Sequence, residues 1–205
     1  MPAPPPDYAQ RTLDAYAAYA STATENWARL RTPSTFLRRF TRRLPASARV
    51  LDYGCGIGTD VAWLARHGYR VEGLDGTRVF VREARRRCPT VTIRHVRFEE
   101  VQLAPVAYDG IWCRAALIHV PPPEMRRQLK KLREALKPGG WLGLTLAWGR
   151  TRTFTQHDWI PGRYLAAYSK SEARALLRGW HIEELRIVSG DGRSGRWIQI
   201  LAHRL

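Results

Sequence analysis

Residues 50–60 of this 205-residue chain run Val50-Leu51-Asp52-Tyr53-Gly54-Cys55-Gly56-Ile57-Gly58-Thr59-Asp60. A short apolar run ends in an acid, glycines follow at alternate positions, and an amphipathic segment begins at Thr59. That order spells a strand, a tight turn and a helix. Glycine at every second position keeps side chains out of the turn, so a ligand can lie against bare backbone at a helix start. The spacing is G-x-G-x-G, which differs from the G-x-G-x-x-G of dinucleotide-binding loops.

The segments on either side extend the pattern. An apolar, aromatic-rich period over residues 7–31 predicts a leading helix, and a second helix is expected over 34–44, started by Pro33 and stopped by Pro45. Strands are expected at 49–53, 70–74, 91–96, 108–114 and 141–147, with helices at 59–66, 77–88 and 122–137 between them. Residues 148–168 show no period and read as a loop or lid. A helix capped by Ser169 or Ser171 follows, then strands at 181–188 and 196–203 joined by the glycine-rich turn 189–195, the last antiparallel. Strands alternating with helices give a parallel sheet wound on both faces, with ligands at the carboxyl ends of its strands.

Bulk composition narrows the classes. The length suits one domain with a full core. No apolar run reaches membrane-spanning length, and Met1 to Pro6 reads as a disordered leader rather than a secretory signal. Three scattered cysteines, Cys55, Cys88 and Cys113, point to a reducing, cytoplasmic setting without disulfides, and six isolated histidines offer no metal constellation. The formal charge of +16 fits an acidic substrate or nucleic acid. Yet only four of the 34 basic residues are lysine, and the arginines are dispersed over several helices, which favours solvated helix faces.

Four segments together resemble the class I S-adenosylmethionine-dependent methyltransferases, covering roughly residues 10–148. They are the loop Asp52 to Asp60; Val71-Glu72-Gly73-Leu74-Asp75-Gly76-Thr77; Tyr108 to Pro121; and Leu132-Arg133-Glu134-Ala135-Leu136-Lys137-Pro138-Gly139-Gly140. The resemblance implies a doubly wound, mostly parallel, seven-stranded Rossmann-like α/β sheet with an antiparallel last strand and an N-terminal helical cap. It divides 7–205 into a cap (7–45), a cofactor-binding core (46–148), a substrate lid (149–168) and a C-terminal helix with a strand pair (169–205). S-adenosylmethionine is the implied cofactor and S-adenosylhomocysteine the product.

The same resemblance assigns residues. Asp52, Gly54, Cys55 and Gly56 would hold the methionine end of the cofactor, Asp75 and Gly76 its ribose, Phe98 and Glu99 its adenine, and Cys113 and Arg114 would border the methyl. Many relatives carry an aspartate after strand three, which leaves Phe98, Glu99 and Glu100 all in play. Tyr16 and Tyr19 would reach over from the cap, with Arg11 or Arg29 as basic partner; the plain alternative is helix packing. Asp75 has an alternative reading as a helix cap, and His119 as a structural histidine. Methyl transfer needs chiefly alignment of the acceptor, worth on the order of 10⁵ M in effective molarity, and a base where the acceptor is protonated. Candidate bases are His119, His157, Tyr164 and Asp158. Trp159, Arg163 and Tyr164 are the expected acceptor contacts, with Arg163 suited to a carboxylate or phosphate. The expected partner is a small-molecule acceptor, methylated on oxygen or nitrogen by a monomer or homodimer. A transfer- or ribosomal-RNA base and a catalytically silent binding module are the competing readings.

Overall fold

The computed structural model describes residues 7–29, 32–189 and 195–205. The leader 1–6 and most of the turn 189–195 lie outside the described residues. Strands β1 (Arg49–Tyr53), β2 (Arg70–Asp75), β3 (Thr92–His95), β4 (Tyr108–Arg114) and β5 (Leu136–Trp148) run parallel to one another in the order β3-β2-β1-β4-β5. Strand order reverses between β1 and β4, and the crevice there opens above the glycine loop. β9 (Arg196–Arg204) runs antiparallel to β5 from Trp141 to Ala147, and β8 (Trp180–Ser189) pairs with β9.

Helices α4 (Thr59–Arg66), α5 (Arg78–Arg87) and α6 (Pro122–Ala135) make the crossovers. Buried residues of β1, β4, β5 and β9 share one core with Met125, Leu129 and Leu132 of α6. The other face of the sheet packs on α3 (Thr35–Thr41), where Phe36 and Phe40 lie against Trp112 with ring centroids 4.9 and 5.2 Å apart. Ser34 caps α3 by accepting from the Leu37 N–H. Ser169 caps α7 (Lys170–Leu176) in a full capping box with Glu172.

Two expectations change. The leading helix is two helices, α1 (Tyr8–Ala18) and α2 (Ala20–Ala28), because Tyr19 leaves helical geometry at φ −105°, ψ 26°. The segment read as a plain loop contains β6 (Arg152–Phe154) and β7 (Tyr164–Tyr168). β7 pairs with β5 only at Ala147 and Trp148, and β6 closes on β7 as an antiparallel pair. The sheet therefore has nine strands, the expected seven plus this pair. The Pro138-Gly139-Gly140 turn is a bulge inside β5: Tyr108 pairs with Leu136 and Gly110 already with Trp141. Asp109, opposite the bulge, accepts from the Arg49 N–H and from Lys137 Nζ, at 2.8 and 2.6 Å.

Candidate active site at the carboxyl edge of the sheet

The glycine loop is fixed by its neighbours before any ligand is considered. The N–H groups of Gly54 and Cys55 both donate to the Leu74 carbonyl at 2.9 Å, tying the end of β1 to β2. Gly54 has φ +84°, and a Cβ there would stand 2.3 Å from the Ala116 methyl. Only glycine satisfies both the conformation and the space. Asp75, at the end of β2, accepts from the Gly56 N–H at 2.9 Å and from the Thr77 N–H at 2.8 Å. It thus ties the loop to the residue before α5 while lining the cavity; the N-cap of α5 is Thr77, not Asp75. Burial raises its pKa and these two amides oppose the rise. A carboxylate has about four lone-pair directions, so acceptor capacity remains for a ligand.

Beside the loop lies an acidic cluster. Asp60, in the first turn of α4, accepts from Trp112 Nε1 at 2.8 Å and pairs with Arg114 Nε at 2.9 Å, both through Oδ2. Its Oδ1 is buried and has no hydrogen-bond partner among the described residues. Asp52 is only 3% exposed, and its pKa is pushed well up by burial and by Asp60, with Arg114 opposing. Two carboxylates against one guanidinium leave negative charge to be matched, a setting that favours a cation. Asp60 received no role from the sequence, although its place in the first turn after the glycine loop was a usable signal.

Phe98 follows β3. Its carbonyl accepts from Gln128 Nε2 and Lys131 Nζ of α6 at 3.0 and 2.8 Å, and its ring stacks on Tyr53 at 4.7 Å and 12°. Glu99 is exposed and accepts from the Tyr8 hydroxyl at 3.3 Å. Burial, with Glu99 beside it, raises the Tyr8 pKa. Phe98 and Glu99 line the cavity and Glu100 does not.

The cap meets the lid through one chain of polar contacts. The Asp158 carboxylate pairs with Arg163, and Arg163 donates to the Tyr16 hydroxyl at 2.9 Å. The Tyr16 hydroxyl lies 2.7 Å from His119 Nε2, and His119 Nδ1 lies 2.7 Å from the Tyr164 carbonyl. A carbonyl only accepts, so Nδ1 carries a proton. In the neutral ring Nε2 then accepts from Tyr16. Burial works against the Arg163 charge, but Tyr16 and Asp158 outweigh it and hold its pKa above the ordinary value.

These elements enclose a cavity of about 790 Å³. It is lined by Asp52, Gly54, Cys55, Gly56, Asp75, Gly76, Phe98, Glu99, Arg114, Tyr16, His119, Trp159 and Arg163 of the expected residues. Four expected residues fall outside the lining. Tyr19 is 40% exposed at the α1–α2 break, and His157 is exposed. Cys113 is buried in the core, its thiol pushed up to about 12 by that burial. The Tyr164 ring packs between Tyr8 and Phe154, each 5.8 Å away, and meets the site only through its backbone. Of the basic candidates, Arg29 lines the cavity, whereas Arg11 sits 3.7 Å over the Phe154 ring. Trp27, Trp148, Arg196 and Trp197 also line it and were not expected there.

A family profile described as "Methyltransferase domain" matches residues 50–140. The thiopurine S-methyltransferase of Pseudomonas putida (strain GB-1) is 31% identical over 185 residues, covering 80% of this chain and 82% of that one. An S-adenosyl-L-methionine-dependent Diels-Alderase of Talaromyces variabilis is 35% identical over 109 residues; the match covers 49% of this chain and only 37% of that protein. Among solved structures, the Burkholderia thailandensis 1,6-didemethyltoxoflavin-N1-methyltransferase, with that compound and S-adenosylhomocysteine bound, superposes with a TM-score of 0.81 at 19% identity. It covers 100% of this chain and 92% of that one. The chain belongs to the class I S-adenosylmethionine-dependent methyltransferase family, whose cofactor is S-adenosylmethionine. The residues of this site fit that group: an orphaned Asp60 oxygen and an under-compensated acid pair suit its ammonium, and the side-chain-free turn leaves room beside Asp75.

Proposed function

We propose that the protein methylates an oxygen or nitrogen of a small, acidic metabolite, using S-adenosylmethionine. The observation that supports this most is the continuity of one cavity from Asp75 and the glycine loop to His119 and the lid. Its volume lies within the range that encloses drug-sized ligands, about 300–1,000 Å³, and leaves space for a small acceptor beside a nucleoside.

When bound, the cofactor supplies an electrophilic methyl on a sulfonium. The chain's own residues have the remaining tasks. Asp52 and Asp60 would hold its ammonium, with Arg114 beside them for its carboxylate. Asp75 has lone pairs left for ribose hydroxyls, and Phe98 offers a ring edge where Gly54 leaves room. Tyr16 and His119 act at the acceptor: the Tyr16 oxygen takes the acceptor's proton as its own passes to His119 Nε2. Arg163, anchored by Asp158, stabilises negative charge on the Tyr16 oxygen and is a positioning residue rather than an acceptor contact.

Calorimetry with S-adenosylhomocysteine tests the cofactor half. Saturable one-to-one binding, weakened about 10–100-fold in Asp75→Ala, is the expected result, and no binding to the wild type overturns the reading. The +16 charge supports a second reading, an RNA acceptor. It predicts copurifying RNA and an affinity that falls steeply with salt, and finding both would displace the small-molecule reading.

A further inference from the structure

The far end of the cavity has a chemistry of its own. Ala147 of β5 pairs with Ala167 of β7 on one side and with Trp197 of β9 on the other. Ala147 and Ala167 form a small apolar cluster with Ile118, against which Leu165 and Trp197 pack. Two adjacent strands thus present methyl groups side by side, a shallow floor that accepts a thin, flat group. Trp148, the next residue of β5, remains 40% exposed, and the Arg196 guanidinium carbon lies 4.2 Å from its ring centroid. Four of the chain's eight tryptophans, Trp27, Trp148, Trp159 and Trp197, line this one cavity.

The acids of the cavity lie away from this floor or are already paired. Asp52, Asp60, Asp75 and Glu99 line the glycine-loop end, where Arg114 pairs with Asp60 and Arg97 lies 3.9 Å from Glu99, and Asp158 is held by Arg163. Arg196 makes no ion pair among the described residues. An exposed indole face in a cavity gains from stacking on another π-system, and a guanidinium on its rim selects an anion over a cation.

Resting on the methyl-transfer reading above, we infer that the acceptor is a flat aromatic ring system with an anionic substituent, a carboxylate or an ionised hydroxyl. It is seated over Ala147 and Ala167 against Trp148, with the anion toward Arg196. In the transfer, the acceptor's O–H or N–H bond breaks and its O–CH₃ or N–CH₃ bond forms. The S–CH₃ bond breaks with its electron pair staying on sulfur, and the proton leaves through Tyr16 to His119.

The test is calorimetry on the full chain, first with S-adenosylhomocysteine and then, at saturation, with three probes: naphthoate, its fully saturated decahydro counterpart and naphthylmethylamine. Naphthoate is expected to bind about tenfold tighter than the saturated acid, a difference of about 1.4 kcal/mol, and tighter still than the amine. Trp148→Ala removes the preference for the aromatic acid over the saturated one. Arg196→Gln removes the preference for acid over amine. Both variants keep S-adenosylhomocysteine affinity within about twofold, which also shows that they fold. Failure of S-adenosylhomocysteine itself to bind wild type defeats the methyl-transfer reading and this inference with it. Binding of S-adenosylhomocysteine with no aromatic or anionic preference overturns this inference alone.

Discussion

The cavity has two halves built on different principles. The glycine-loop half is assembled from neighbours in sequence or from strands paired edge to edge: Gly54 and Cys55 bond to Leu74, and Gly56 to Asp75. The lid half joins residues with no local reason to meet. Tyr16 reaches His119 across 103 positions and Arg163 across 147. In the first half backbone amides and carbonyls do most of the holding, so side-chain identity matters where a side chain must be absent. In the second, side chains do the holding, so identity matters at every link. The first half is a preformed cradle. The second depends on the cap and the lid being docked together.

Substitutions can break this contrast. The largest effect is expected from Gly54→Val, which sets a branched side chain at φ +84° against the Ala116 methyl. S-adenosylhomocysteine binding should vanish, and the melting temperature should fall by several degrees, consistent with a strained position costing about 1–3 kcal/mol. Unchanged calorimetry would show that the loop is not the cradle. Asp75→Ala strands the Gly56 and Thr77 amides and removes the carboxylate proposed to hold the ribose hydroxyls. An affinity loss of about 10–100-fold is expected, from about 1–3 kcal/mol of unmade bonds.

Tyr16→Phe separates the halves. It leaves Arg163 without its tyrosine partner and removes the hydroxyl that bonds to His119 Nε2. Turnover of an identified acceptor should fall about 10²–10⁴-fold, the usual range for losing acid–base assistance. S-adenosylhomocysteine affinity should move less than about threefold, or less than 1 kcal/mol. Equal losses in both would mean that the chain only ties the cap down.

The smallest effect concerns pH. Burial and Asp60 raise the Asp52 pKa in the folded protein above its ordinary value of 3.8. A group with a raised folded pKa contributes stability below its unfolded pKa and loses it as pH rises through the folded pKa. Asp52 therefore destabilises the ligand-free protein at neutral pH. Asp52→Asn should raise the melting temperature at pH 7, with the gain shrinking as pH falls toward 3.8, while S-adenosylhomocysteine binds more weakly. Thermal melts across that pH range check the sign.

The same contrast explains what could be read in advance. β1, α4, β2, β4 and the Pro138-Gly139-Gly140 turn follow from period and punctuation within short windows. β6 and β7 did not, because Arg152–Phe154 and Tyr164–Tyr168 are too short to carry a period, and their register comes from β5 and from each other. Tyr16 and Tyr19 looked equivalent, three residues apart on one helix. The break at Tyr19 buried one and exposed the other. Arg163 looked like a free anion contact because nothing nearby in sequence announces that Tyr16 occupies its guanidinium.

What the chain's order of residues determined alone is the cradle: an acid-ended strand, a turn without side chains and a second acid at the next strand's end. Those constraints are local, set by backbone sterics and by hydrogen bonds between adjacent strands. Tertiary structure decided the rest, namely which tyrosine faces the cavity, what partners Arg163, and that Trp148, Trp197 and Arg196 converge beside two alanines. Those meetings depend on packing the cap and the lid against the sheet, and long-range packing leaves no mark in any short stretch of sequence.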